Sequence, residues 1–522
     1  MTLSTTTGVF TPATAATSAD YALGLKNWFG SIVHSLTLDY GGTTIIQQTP
    51  YINMWNIFKL MTTMSWQDVH TVGPTIGFYP DDPKSWGFDL VGTTLYGKGT
   101  TNNSTFGALG ADGLGVAYNT TFNNYNSLQG NTGFVKRMQN INFDLNGKIT
   151  AAGGDTYNDL ILASSVNTLY KSYIFNKVNN ATGGIIEYSI TATVYLRHLH
   201  SFFQMCPLLR GAFMKITLFL NNTSVDFGIT GTAVAVPVST DIAIQNISIP
   251  VGGVCPLMIS SIDSALTQGA ANLRAVATTG AVATYTATLS VGSRCLNTAV
   301  KAVVGYADAP SASSIYLYVP AYDFNPVFED VYVSSPIKSI KYTDVYQYPV
   351  SGVAANAPFN SLLTNGIAGA VSVLIIPFYS AGLTNSGLTY PVYQSPFDTA
   401  GCGSTSPLCL FTGFNVVVSG QNAIYNNEAR SFEQYNNQLY GCNSVNGGLT
   451  DGLSSGLIST LGFEMSQCYY YVNVERMLPV EESVPKSIRI TGLNLSTKNL
   501  DLWCFVEYRC NLDVDLNTGQ RV

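Results

Sequence analysis

The sharpest two-residue alternation in the chain lies at Leu502–Leu516. Val506, Tyr508, Cys510, Leu512, Val514 and Leu516 share one parity, and Glu507, Arg509, Asn511, Asp513 and Asp515 share the other. Strand geometry turns such alternation into one apolar and one polar face. A slip of one residue would bury the polar set, so the register is strongly specified. Ser31–Tyr40 behaves alike, with Ile32, Leu36, Leu38 and Tyr40 on one face before the Gly41-Gly42 turn. Further strands are predicted at Tyr188–Leu196, Phe213–Leu220, Ala233–Val238, Ile242–Ile249, Ser314–Val319, Pro336–Pro349, Val371–Tyr379, Phe414–Val418, Cys468–Val474 and Ser487–Thr491. Helical spacing is rare. Pro50–Met64, with Tyr51, Trp55, Phe58, Leu60 and Met61, predicts a short amphipathic helix, and a second around Leu199–Cys206 ends at Pro207.

Residues 1–20 form a Thr/Ala/Ser segment with no charge before Asp20, which predicts a flexible or docking arm. From about Thr71 to Asn180 the chain is rich in Gly, Asn, Thr and Tyr. Such a stretch reads as long decorated connections between short strands, with Phe134–Leu145 and Asp159–Tyr173 among the structured parts. A fresh set of strands opens at Pro336, which divides the chain into an arm (1–20), a first domain with long insertions (21–332) and a second domain (333–522). Many strands joined by long loops, with few helices between them, point to antiparallel sandwiches. Two in tandem is the simplest architecture.

Composition narrows the function. Among 522 residues, 46% are hydrophobic but only 11% are charged, against about 25% in ordinary soluble domains. General disorder and long coiled coils both need more charge than this. Net charge is −7, and no run of Lys or Arg occurs, so the clustered cations that hold a phosphate backbone are missing. The chain alone is not expected to bind nucleic acid sequence-specifically. A surface poor in charge resists self-association weakly and suits a protein that associates with copies of itself. The opening residues show no basic segment followed by an apolar one, so no secretory leader is predicted. The most apolar window, Gly366–Ile376, is shorter than the ~20 residues that cross a bilayer and is stopped by Pro377.

Candidate chemistry is sparse. Nine cysteines are scattered without a CxxC pair, which argues against a disulfide framework or a zinc site; Cys402 and Cys409, bracketing a Gly/Ser/Pro loop, are the pair best placed to oxidise. His198 and His200 could share a strand face and hold a metal, but no Asp, Glu or Cys lies near in sequence, and a structural role is the stronger reading. His34 reads as a hydrogen-bonded core residue, Asp81-Asp82 as a solvated turn, and Asp513 and Asp515 as facing solvent or a partner. No nucleophile elbow, zinc-protease, phosphate-loop or dinucleotide motif is present. The sequence therefore nominates no catalytic, cofactor-binding or metal residues, and an enzyme is not expected.

Several stretches resemble the major capsid proteins of double jelly-roll viruses, particularly polinton-like viruses and virophages. SIVHSLTLDYGGTTI and YINMWNIFKLM resemble the opening strands and helix of that family's first jelly roll. YSITATVYLRHLHSFFQMCPLLRGAFMKITLFLN resembles its late strand, helix, turn and strand. SSIYLYVPAYDFNPVFEDVYVSSPIKSIKYTDV resembles the last strand of the first domain, the linker and the first strand of the second. FNVVVSGQNAIYNNEARSFEQYNNQLYG and KSIRITGLNLSTKNLDLWCFVEYRCNLDVDLNTGQ resemble parts of the second jelly roll. The resemblance implies two tandem jelly rolls and a homotrimer of pseudo-hexagonal outline that tiles an icosahedral shell in the virion. Partners implied with it are neighbouring capsomers, a penton protein, cement proteins and an internal membrane. Within this picture Tyr322, Phe324, Pro326 and Phe328 of the linker are expected to wedge the two sandwiches together. The alternative from another class is a carbohydrate-binding β-sandwich, since aromatic and Asn-rich loops also suit sugars.

Overall fold

The computed structural model describes residues 2–5, 21–81, 193–221, 316–380 and most of 403–522, with short strands and single positions between them. Its second part is built from β1 (Ile337–Val353), β2 (Pro358–Ile367), β3 (Ala370–Tyr379), β4 (Phe411–Val418), β5 (Gln421–Asn422), β6 (Tyr470–Asn473), β7 (Lys486–Asn494) and β8 (Leu500–Asp515). A short β9 (Gln520–Arg521) folds back on β8. One sheet runs β1-β8-β3-β6 and the other β2-β7-β4-β5. The first strand thus pairs with the last, the second with the seventh, the third with the sixth and the fourth with the fifth, all antiparallel. That nesting is a long hairpin rolled into two facing sheets, the jelly roll.

Residue choice explains the roll. Ile375, Cys504 and Val506 on one sheet and Val416, Ile488 and Ile490 on the other have no exposed surface. The predicted alternation of Leu502–Leu516 holds beyond Tyr508, where buried Leu512 and Val514 alternate with more exposed neighbours. Between Leu502 and Glu507 every residue is buried, because this half of β8 is covered on both faces. The mostly apolar run Val371–Tyr379 likewise forms a central strand, β3, buried along nearly its whole length.

In the first part, Val33–Tyr40 is the middle strand between Thr43–Ile46 and Met214–Leu220. Tyr21–Leu25 pairs with Leu257–Ser261. Thr2–Thr5 lies between Val282–Ser290 and Gly183–Glu187 in a five-stranded sheet whose outer strands are Ser224–Thr232 and Lys177–Asn180. Phe88–Leu90 pairs with Thr93–Thr94 and Leu114–Val116. Every one of these pairings is antiparallel, so the chain is mostly β with few helices. The described strands here do not by themselves trace a second eight-stranded roll.

Several expectations change. Thr2–Thr5, in the stretch expected to be a flexible or docking arm, is a paired strand whose backbone ladders to both neighbours. The strand expected at Tyr188–Leu196 ends differently: Thr193–Tyr195 is unpaired and Leu196 opens a one-turn helix, Leu196–Leu199. Ser201–Met205 follows as a second short helix, with His200 capping it. Tyr316–Val319 belongs to no strand. Ala233–Val238, Ile242–Ile249, Asp159–Tyr173 and all of Phe134–Leu145 except Arg137 lie outside the described residues. Among the described residues no helix is long and apolar enough to cross a membrane.

The helix predicted at Pro50–Met64 forms at Ile52–Thr63, yet it is not amphipathic in place: ten of its twelve residues are buried. Its own part covers one side, with Asn53 donating to the Ser31 carbonyl (3.1 Å), and the second part covers the other. Parity puts Trp503, Phe505 and Glu507 of β8 on the outer face of their sheet, away from the roll interior. Trp55 meets Phe505 with ring centres 6.3 Å apart, and Phe58 stacks on Tyr471 at 5.7 Å and meets Tyr469 edge-on at 5.0 Å. Just before the helix, Tyr51 contacts Trp503 at 4.1 Å. Gly403 shows how close the fit is: with φ +84°, a Cβ there would stand 1.9 Å from Ile57 Cγ2. One helix of the first part therefore completes the outer core of the second.

Candidate functional site

The side chains singled out for chemistry turn out to hold the molecule together. His198 and His200 do not share a strand face. His198 sits in the one-turn helix with its ring edge-on to Trp28, 6.4 Å away. His200 is turned toward β1. Its Nδ1 accepts the Phe202 N–H (3.1 Å), so its proton resides on Nε2, 3.2 Å from Asp344 Oδ1. Asp344 is buried and also accepts from the Val345 N–H (2.7 Å) and the Tyr508 hydroxyl (3.1 Å). Burial and the Asp344 charge push the Tyr508 phenol well above its ordinary value. Ser201 adds a bond from the Thr343 N–H (3.0 Å). This is a polar clamp between the two parts, with every strong acceptor of Asp344 engaged.

Glu507 repeats the theme on the opposite face of the same sheet. Buried under the Ile52–Thr63 helix, it accepts from Ser372 Oγ (2.8 Å) and Thr343 Oγ1 (3.0 Å) and faces Lys59 at 3.8 Å. Asp81 is likewise not the solvated turn expected of it. It is buried, paired with the Arg137 guanidinium, and accepts the Asn27 N–H at 2.9 Å. Arg137 also donates to the carbonyls of Leu25 (2.8 Å) and Tyr79, so one residue of the long insertion closes over Tyr21–Leu25. His34 is half-buried, with Nδ1 3.3 Å from Ser35 Oγ and its ring edge-on to Tyr51 at 5.0 Å; burial holds its pKa below the usual value. Asp515 accepts from the Asn517 N–H in the turn to β9, and Asp513 meets Asn511.

No described group of three or more His, Cys, Asp or Glu is placed to hold a metal. Cys206, Cys468, Cys504 and Cys510 are free thiols, and burial pushes Cys206 and Cys510 up to about 11, which keeps them protonated and unreactive at neutral pH. Cys402 lies outside the described residues, and Cys409 is buried under Tyr470. A shallow concavity of about 510 Å³ on the β2-β7-β4 sheet is lined by Phe359, Asn360, Thr412, Gly413, Thr491 and Leu493, among others.

The most unusual surface is the linker. Tyr322 and Phe328 are 61% and 52% exposed, so they do not wedge the two parts of one chain. They lie with the helix Pro326–Val333, none of whose residues is buried. Asn325 caps that helix through the Val327 N–H (3.1 Å), and Arg210 pairs with Glu329 at 2.5 Å. Phe324, Phe328 and Tyr332 stack along one side, while Val327 and Val331 face out at 73% and 65% exposure. Tyr316 and Tyr318 before the helix are 70% and 87% exposed. Taking about 150–200 Å² per large side chain, the apolar groups between Tyr316 and Ile337 present on the order of 1,000 Å² to solvent. Monomeric proteins seldom expose a patch beyond about 300–600 Å². The sequence had marked these rings; only their direction was misjudged.

No protein-family model and no curated sequence matches the chain. Among solved structures, the chain aligns over 100% of its length with PBCV-1 VP54 as fitted into a reconstruction of the virophage Sputnik, covering 87% of that chain at 7% identity and a TM-score of 0.31. It aligns equally fully with a chain of the Sputnik virophage itself, covering 80% of it at 10% identity and a TM-score of 0.27. The Faustovirus major capsid protein matches 98% of the chain, which spans 84% of it, at 11% identity and a TM-score of 0.27. With scores this low, the jelly-roll assignment rests on the strand order of β1–β8.

Proposed function

We propose that this chain is a structural major capsid protein that forms homotrimers of pseudo-hexameric outline and tiles an icosahedral virus shell. The observation that carries the reading is a complete jelly roll whose outer face is fused to a second β-rich body, together with an apolar, unburied linker between them. A jelly roll by itself serves shells, lectins and small-molecule enzymes alike. The exposed apolar area favours a tile, because interface centres are depleted in charge and rich in aromatic rings.

In this reading residues 21–332 and 333–522 are the two rolls, and residues 1–20 reach from the first of them. Partners are neighbouring capsomers, a penton protein, cement proteins and an internal membrane, with no sequence-specific contact to nucleic acid. The chain works in the virion and performs no catalysis. Purified recombinant protein should have the mass of three chains by light scattering and show six-lobed particles by negative-stain microscopy. A stable monomer at tens of micromolar refutes the reading.

The second reading is a carbohydrate-binding sandwich, favoured by the Asn- and Thr-lined concavity beside Phe359. It predicts a monomer retained on a glycan column and released by free sugar.

A further inference from the structure

Among the described residues, one chain carries both halves of an unmade β-pairing. The strand Met214–Leu220 is the outermost of its sheet, hydrogen-bonded to Val33–Tyr40 on one side and, among the described residues, to no strand on the other. Lys215 is its one charge, and its apolar side chains stay open: Met214, Leu218 and Phe219 are 41%, 36% and 39% exposed. Proteins ordinarily protect such edges with charge, proline or a covering element. The second half is Tyr316–Val319. Its Tyr-Leu-Tyr-Val sequence suits a strand, yet it lies in none. Side chains of both parities are open, from 60% at Leu317 to 87% at Tyr318, so among the described residues neither face of the segment is covered.

We infer that Tyr316–Val319 of one copy adds as a further strand to the Met214–Leu220 edge of a second copy, with the Pro326–Val333 helix packing beside it. This rests on the capsid reading and names the surface by which its trimer would close. Three observations select another copy of this chain as the occupant. The apolar area around the linker, on the order of 1,000 Å², matches the roughly 800 Å² per partner of a stable specific interface. Charge is complementary: Asp323 and Asp330 are exposed on the linker, and Lys215 is exposed on the edge strand. Each copy also has one segment to give and one edge to receive, on different patches, so the contact is head-to-tail and can close a ring. Backbone ladders supply affinity in such strand addition, and the alternate side chains supply register. The Arg210–Glu329 pair ties the linker helix to the turn that leads into the edge strand and so fixes how the helix is presented.

The test places the photoreactive residue p-benzoylphenylalanine at position 318, a conservative change at an exposed ring, in the full chain. After irradiation, denaturing electrophoresis separates crosslinks between chains from those within one, and peptide mass spectrometry maps the attachment. The inference expects trimers whose crosslinks join chains and map to residues 213–220. It also expects the double variant Tyr316→Asp/Tyr318→Asp to associate roughly a hundredfold or more weakly, as for two interface anchors lost together. Trimers whose crosslinks stay within a chain, or map elsewhere, overturn the inference and leave the capsid reading standing. So do trimers of the double variant as tight as the parent. An unmodified chain that remains monomeric overturns both.

Discussion

Removing the ring of Phe58 tests the claim that a first-part helix completes the core of the second. Phe58 has no exposed surface, touches Trp55 as well as Tyr469 just before β6 and Tyr471 within it, and lies in a tight aromatic cluster. Phe→Ala in such a site loses the transfer free energy of the ring and leaves a cavity, about 3–5 kcal/mol in all. The matched comparison is Phe328→Ala in the linker. Phe328 is 52% exposed in the single chain, so about half of the ~1.5–3 kcal/mol of a fully buried ring is at stake. The predicted costs differ by at least ~1.5 kcal/mol. Urea denaturation at concentrations too dilute for association, followed by tryptophan fluorescence, reads this directly, since buried Trp55 and Trp503 flank the contact. Equal losses for the two variants, or less than ~1 kcal/mol for Phe58→Ala, would refute the account and return the linker rings to the wedge role first expected of them.

Gly403→Ala should cost at least ~1 kcal/mol, because the added methyl meets Ile57 and the backbone keeps a positive φ; Ile57→Ala should recover part of the loss in the double variant, read by the same urea midpoints. Asp344→Asn should destabilise by about 1–3 kcal/mol, through weakened acceptance from Tyr508 and Val345 and a changed partner for His200; hydrogen exchange should show freed amides at Ser201–Met205. Burial lowers the pKa of His34 and of His198, the latter also through Arg197, so between the unfolded value near 6.5 and the folded value the unfolded chain binds more protons than the folded one. Stability should therefore fall as pH drops below about 6.5, and His34→Gln/His198→Gln should flatten that fall in thermal melts.

The second roll was largely legible because its strands are long and locally consistent. β1, β3, β4 and β6 to β8 were each anticipated within a few residues, since alternation or continuous apolarity marks them, whereas β2 (Pro358–Ile367), with its Asn, Ser and Thr positions, was not anticipated as a strand. Misreadings fell where tertiary contacts override local pattern. The strand read through Leu196, with His198 and His200 on one strand face, gives way to a one-turn helix, which carries His200 to Asp344, 144 residues downstream. Asp81 looked like a solvated turn because its partner, Arg137, lies 56 residues away. The Ile52–Thr63 helix read as amphipathic because nothing in a local window reveals that a second body covers its other face. Glu507 sits on the polar parity of its strand for the same reason: that parity faces a helix from the other part, and Ser372, Thr343 and Lys59 replace the water it was expected to meet.

The linker shows a different limit. Its rings were correctly set apart by composition, and apolar aromatics in a short connector imply burial somewhere. Sequence cannot say in which molecule. Within the chain the outer-core role was already filled by Trp55 and Phe58, which reach the β8 sheet first and leave no apolar surface there for Tyr322 or Phe328. Once that space is taken, no described part of the chain is left to cover the linker rings, and another copy offers a surface that solvent does not. With so few charges available to keep the surface in water, burial against another copy costs the chain least, and the same scarcity of charge that excluded nucleic acid at the outset becomes the physical reason to expect assembly.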